Sequence, residues 1–382
     1  MSGKGDPEQF EVIVIGAGQT GLAASWHLAR RGIDHVVLER SERVGDQWRA
    51  RYDSLRLYSP ARYDGLPGMP FPLPKRSYPT GRQMADYLEA YASEQRLPVR
   101  TGVAVDGLEK RSSGRGGYVV GAGERAFEAP HVIVATGFFQ RPKVPDFATE
   151  LDPGIVQLHS SDYRNPSQLR EGPVLVVGFS HSGADLAFEA ARDHQTIVAG
   201  RSHGELPVSI DSKRGQFGWL VWRFLVSNVF TIDTPIGRRM APHVRTGGAP
   251  LLRYRKGDLR TAGVEMIESR VEGVRDGKPV LADGRVLDVA NVLWCTGFEP
   301  DHAWIRLPVF DADGWPLQRR GVVTTAPGLY FLGILFQYAF SSMLVLGAGR
   351  DAAHVVDRIA ERLRRPETVS AGREHAAVGA GR

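Results

Sequence analysis

Two stretches of this chain are built to one plan. "EVIVIGAGQTGLAASWHLA" begins at Glu11, and "VLVVGFSHSGADLAFEAA" begins at Val174. Each opens with a short apolar run, passes through a turn of small residues, and continues with a helical pattern. A strand that is apolar on every residue is buried on both faces, which is the mark of a parallel sheet. Parallel neighbours need a crossover connection, most often a helix. Two such units commit the chain to an α/β architecture.

The first turn carries Gly16, Gly18 and Gly21 in G-x-G-x-x-G spacing, and the next apolar run, His35–Leu38, ends in Glu39. A strand before, a helix after and an acid at the end of the next strand make this a dinucleotide site. Gly16 allows the tight turn, Gly18 admits phosphate, and Gly21 lets helix and strand pack closely. Glu39 accepts from ribose hydroxyls and repels a 2′-phosphate. The second turn carries Gly178, Ser180 and Gly183, with a serine at the middle position. Its side chain stays small, and Ser180 or Ser182 has a hydroxyl to donate. Arg201 lies 23 residues beyond Gly178, the offset that separates Glu39 from Gly16. An arginine at that place suits a 2′-phosphate. The expectation is FAD at the first turn, NADPH at the second, and hydride transfer where they meet. Gln19, Thr20, Arg40, Gln47, Trp48, Val105, Ala135, Thr136, Gly137, His181, Ser202, Thr296, Gly297 and Gly333 complete the cofactor-binding candidates.

The same order of elements runs twice. In the first unit a helix is expected over Gly21–Arg31, stopped by Gly32. The proline-rich "SPARYDGLPGMPFPLPKRSYP" is an extended loop. Thr80 and Gln83 form a capping box for a helix reaching about Gln95. A β-meander over 99–134 ends in "HVIVATG". In the second unit a helix over Ser182–Arg192 and a strand over Thr196–Ala199 precede an irregular insert. A second meander over Val264–Asp288 then leads to "NVLWCTG". From Pro327 onward, the strand "LYFLG" and a helix over about Ala348–Arg364 are expected to return to the first unit. The fold expected is two Rossmann-like dinucleotide-binding domains, each with a β-meander. Residues 1–165 and 298–382 would form the FAD domain, and 166–297 the NADPH domain.

On these residues the chain resembles the single-component flavin-dependent monooxygenases, the flavin-containing and Baeyer–Villiger superfamily. The likeness rests on "GAGQTG", "GDQWRARYDSL", "VATG" at Val134, "HSSDY", "VVGFSHSGAD" and "CTGFEPD". The resemblance implies FAD, NADPH, O2 and transfer of one oxygen atom to a small organic substrate through a C4a-(hydro)peroxide. It implies that Trp48, Tyr52, Leu57 and Tyr58 lie near the flavin ring, in a pocket that excludes water. A helix beginning near Ala348 would stabilise negative charge on the reduced ring. The family's motif F-x-G-x-x-x-H-x-x-x-Y/F is kept only in part: His159 and Tyr163 remain, the Phe is absent, and Gly154 stands five residues before the histidine. His159 is therefore either a structural or gating residue between the units or a histidine satisfied in a linker. His159 and Gln337 are the only catalytic candidates. A flavin reductase or oxidase, and a redox-sensing flavoprotein, remain open. No substrate is singled out.

Composition removes other classes. Cys295 is the one cysteine, so the chain holds no intrachain disulfide, no C-x-x-C pair and no cysteine-rich metal site. The net charge of +5 is spread along the chain, and no nucleic-acid partner is expected. "MSGKGDPEQF" has no apolar signal core, and no run reaches the length of a spanning helix, so a cytoplasmic location is expected. "FGWLVWRFLVSNVF", from Phe217, lies between Lys213–Arg214 and Arg238–Arg239. Three readings stand for it: a lid over a hydrophobic channel, a peripheral membrane contact, or a homodimer contact.

Overall fold

A computed structural model describes residues 6–112 and 116–364. Its first sheet has the parallel strands Leu329–Phe331, His131–Val134, Val12–Ile15, His35–Leu38 and Val99–Arg100 side by side, with two short antiparallel strands at one edge. Strand alternation divides the apolar run at its centre. Val12 and Val14 point to a core shared with Leu22 and Leu28 of helix Gln19–Ala29 and Ala348, Val355 and Ile359 of helix Val345–Arg364. Ile13 and Ile15 point the other way, into a core with Leu108, Val120 and Phe127 of the first meander. The expected return of the C-terminal strand and helix to the first unit is thus met. The helix starts at Val345 rather than near Ala348, and the first helix at Gln19 rather than Gly21.

The second sheet is wholly parallel, in the order Val156–His159, Asn291–Trp294, Val174–Val177, Thr196–Ala199, Glu265–Ile267. Two expectations change here. Strand Val156–His159 pairs residue for residue with Asn291–Trp294, so the second unit begins before residue 166. The second meander shrinks to a hairpin, Val271–Arg275 against Lys278–Leu281. Its expected first strand, Glu265–Ile267, joins the parallel sheet beside Thr196–Ala199, where Ile267 is buried.

The proline-rich loop is irregular as expected, and the Thr80–Gln83 capping box starts helix Gly81–Glu94. The insert after residue 200 is more regular than expected. It contains helices Lys213–Phe224, Pro235–Thr246 and Lys256–Thr261. Ser212 and Thr234 cap the first two, accepting from Gly215 N and Gly237 N, and Pro235 occupies the first turn, where a missing N–H costs nothing. Among the described residues no helix is long and apolar enough to cross a membrane.

Candidate cofactor and substrate cavity

At the first turn Gly16 has φ +104°, and a Cβ there would meet Ala135 O at 2.7 Å. A Cβ on Gly21 would lie 1.9 Å from Gly16 O. Both positions therefore need glycine. Gly18 differs: its φ is −73°, and no atom lies within 4 Å of a Cβ built on it. It caps helix Gln19–Ala29 without a side-chain hydrogen bond, whereas helices Gly81–Glu94, Lys213–Phe224 and Pro235–Thr246 all have Ser or Thr caps. The amides at the start of this helix thus lack a side-chain cap and open onto space, the arrangement that receives an anion. Beside them, the Glu39 carboxylate accepts from Ala17 N at 2.7 Å and from Ser41 N at 3.0 Å. Each oxygen retains accepting capacity for a further donor. These features fit the pyrophosphate and ribose of an FAD.

A cavity of about 1430 Å³ runs from this turn to the insert. That is larger than the ~300–1,000 Å³ common for one small ligand. Gly16, Gly18, Gln19, Thr20, Glu39, Arg40, Gln47, Trp48, Val105, Ala135, Thr136, Gly137 and Gly333 line it, as do Tyr52, Leu57 and Tyr58. These sequence candidates therefore meet in one space. Residues 343–345, at the start of the C-terminal helix, also reach the wall. The insert contributes Trp219, Trp222, Met240 and Leu252 to the wall.

The second turn repeats the first. Gly178 has φ +111°, a Cβ there would lie 2.3 Å from Cys295 O, and one on Gly183 would lie 1.8 Å from Gly178 O. Ser180 caps helix His181–Ala190 with no hydrogen bond into it. Its hydroxyl instead donates to Ala249 O at 2.9 Å and accepts from Ala249 N at 3.1 Å, clasping the insert. His181 and Ser182 line the cavity. The His181 ring sits 4.9 Å from that of Tyr58, and burial pushes its pKa down to about 4, so it is neutral at physiological pH.

Several candidates lie elsewhere. Gly178, Ser180 and Gly183 underlie the turn without forming the wall, and Arg201, Ser202, Thr296 and Gly297 are also outside the lining. Thr296 bonds to Lys143 O and Gly297 accepts from Lys143 N, tying both to the inter-unit crossing. Arg201 is exposed and forms no ion pair among the described residues. The equal spacing of Glu39 and Arg201 also needs correcting. Leu38 pairs with Ile15, and Ala199 with Val177, so the residue that follows the strand is Glu39 in one unit and Gly200 in the other. Arg201 is therefore the counterpart of Arg40. The second strand–helix–strand unit is one residue shorter, which a count from the glycines cannot register.

Neither catalytic candidate reaches the cavity. His159 is buried, with Nδ1 2.8 Å from Ser161 Oγ and Nε2 3.0 Å from Gly297 O. Both ring nitrogens thus have partners, at the end of a strand of the second sheet. Gln337 is buried near Gly321 and Val355 and is not part of the cavity wall.

One cluster was not picked out from the sequence. Asp185, buried on helix His181–Ala190, accepts from Tyr58 at 2.8 Å and from Tyr52 at 3.3 Å. Arg253 stands 3.9 Å from the same oxygen and also bonds Asp211 and the carbonyls of Arg56 and Leu57. Burial raises the Asp185 pKa to about 6 against the pull of Arg253 and the two phenols. The first unit's loop, the second unit's helix and the insert are joined at this point. "SGAD" sits within a quoted motif, but only the fold brings it to Tyr52, Tyr58 and Arg253.

The family model for the pyridine nucleotide-disulphide oxidoreductases matches residues 13–209. A Geobacillus kaustophilus protein described as an uncharacterized oxidoreductase CzcO-like is 36% identical over 357 residues, covering 91% of this chain and 98% of its own. The chain belongs to the pyridine nucleotide-disulphide oxidoreductase family. This oxidoreductase has the two-dinucleotide-binding flavoprotein fold. A flavin-containing monooxygenase from Stenotrophomonas maltophilia superposes with a TM-score of 0.75 at 24% identity, over 93% of this chain and 99% of that one. The structure of OTEMO in complex with FAD and NADP superposes with a TM-score of 0.67 at 15% identity, over 94% and 86%. The likeness read from the motifs is thus met in the fold. Within this oxidoreductase no second cysteine accompanies Cys295, and burial pushes its thiol up to about 12. The dithiol chemistry in the family's name has no residues here.

Proposed function

We propose that this oxidoreductase is an FAD- and NADPH-dependent monooxygenase that transfers one oxygen atom from O2 to a small organic substrate. One observation carries the reading: a single cavity is lined at one end by the first glycine turn and Glu39, and at the other by His181 and Ser182 of the second. Both helices there begin without side-chain caps. Once bound, FAD supplies the redox chemistry and the oxygen activation.

The residues divide the remaining work. Gly16, Gly18 and Gly21 shape the turn for pyrophosphate, and Glu39 holds the ribose of a dinucleotide without a 2′-phosphate. In the second unit Gly200 stands where the first has its carboxylate, and Arg201, without an ion pair among the described residues, is the cation for a 2′-phosphate. Trp219, Trp222, Met240 and Leu252 exclude water from the insert side of the cavity. Neutral His181 adds no charge there. With the domain boundary moved ahead of Val156, FAD belongs to the first unit and NADPH to the second.

Stopped-flow spectroscopy tests this. The FAD-loaded protein should be reduced faster by NADPH than by NADH. Mixing the reduced protein with NADP⁺ and O2 should give a long-lived species before oxidised flavin returns. Immediate return would make the protein an oxidase or reductase, and absence of reduction a sensor.

A further inference from the structure

Helix Lys213–Phe224 has two faces. Gly215, Gly218, Trp219 and Trp222 line the cavity. The opposite face presents Phe217, Leu220, Val221 and Phe224 at i, i+3, i+4 and i+7, exposed to 74%, 50%, 60% and 59%. Ile236, on helix Pro235–Thr246, is exposed to 55% but lines the cavity and is not part of this stripe. Single exposed apolar residues are ordinary, but a continuous stripe marks an interaction surface.

Charge identifies the occupant. Lys213, Arg214, Arg223 and Arg238 are exposed around this region, and none has a carboxylate partner among the described residues. The nearby acids are engaged elsewhere: Asp233 pairs with Arg319, and Asp211 with Arg253. A second copy of this chain, docked about a two-fold axis through the stripe, would bring the same cations together. An anionic lipid surface supplies the missing countercharge and receives the aromatic side chains.

We propose that the insert docks this oxidoreductase on anionic membrane surfaces, with Phe217, Leu220, Val221 and Phe224 entering the interface and the flanking cations meeting lipid headgroups. The helix lies in the plane of the surface and does not span it. Because its other face is cavity wall, docking sets the cavity beside the lipid, and the substrates reached from there are lipid-soluble ones. The proposal does not depend on the assignment of FAD or NADPH.

Vesicle co-sedimentation of the full chain tests it. At near-physiological ionic strength the protein should bind vesicles of one-third phosphatidylglycerol in phosphatidylcholine, and not phosphatidylcholine alone. The double variants Phe217→Glu/Phe224→Glu and Lys213→Glu/Arg214→Glu should each lower binding by about tenfold or more, with unchanged far-ultraviolet circular dichroism. The proposal is overturned if the native chain ignores the anionic vesicles, or if both variants bind as the native chain does. It is equally overturned if light scattering shows a dimer that Phe217→Glu/Phe224→Glu dissolves while vesicle binding is absent.

Discussion

Gly200 holds in the second sheet the place that Glu39 holds in the first: each follows the residue paired with the end of its unit's opening strand. A carboxylate beside one glycine turn is replaced by a residue with no side chain at all beside the other, and Arg201 follows. Gly200 has φ +150°, and a Cβ there would lie 3.0 Å from Phe179 N, so the space beside the turn stays clear.

Nucleotide preference follows from this pair. Arg201→Ala should raise the KM for NADPH by about 10- to 100-fold, the loss of one bidentate charge contact of ~1.5–3 kcal/mol. The KM for NADH should hardly change. Steady-state kinetics with both nucleotides check this, and equal effects would remove Arg201 from the site.

Gly18→Ala separates folding from cofactor capture. The new methyl meets nothing within 4 Å, and φ −73° suits any residue. The flavin-free variant should unfold within about 0.5 kcal/mol of the native chain. Flavin retention on gel filtration should nevertheless fall sharply, because the methyl enters the space where pyrophosphate approaches the backbone. A variant that retains flavin as tightly as the native chain would displace FAD from the first turn.

Asp64 sets a pH dependence of stability. It is fully buried, accepts from Ser59, and burial raises its pKa from 3.8 to about 7. Between those values the folded chain holds a proton that the unfolded chain has released, so stability falls as pH rises from about 4 to about 7. Asp64→Asn keeps the acceptor and loses the charge. It should be more stable than the native chain at pH 8 by about 4 kcal/mol, and nearly equal to it near pH 4. Urea midpoints at the two pH values measure the difference.

Arg253→Met should be costly. Asp185 would lose the charge 3.9 Å away, Asp211 its 3.0 Å partner, and the Arg56 and Leu57 carbonyls their donors. Breaking a buried pair from one side costs about 3–5 kcal/mol. Chemical denaturation should show a loss of that size, and a loss under about 1 kcal/mol would mean that the cluster is not what joins the units.

Cys295 should be silent. With its thiol pushed up to about 12, almost no thiolate exists at neutral pH. A disulfide-exchange reagent should fail to label the native protein and should label it in denaturant. Cys295→Ala should keep NADPH-dependent flavin reduction, whereas loss of reduction would restore thiol chemistry to the reaction.

Elements governed by local rules were legible in advance. The buried strands, the Thr80 capping box and the two glycine turns each follow from a few adjacent residues. Glu265–Ile267 is ambiguous in sequence because a three-residue run reads alike as a meander strand or a parallel one, and only its neighbour Thr196–Ala199 decides. The insert's first helix is capped by Ser212, but its apolar residues point both to the cavity and to solvent, so no single amphipathic stripe announces it. For the site, the candidates on the first turn and around Trp48 line one cavity, because motif spacing and backbone geometry are coupled there. Asp185 and Arg253 could not be paired from a sequence that separates them by an entire sheet edge and insert.

Ser180, in the second glycine turn, has its one hydroxyl proton and one of its acceptor positions already committed to the peptide group of Ala249. Whatever recruits that hydroxyl must first leave a main-chain donor and acceptor of the insert to find other company. The turn and the insert thus share one latch, and traffic at either is felt by the other.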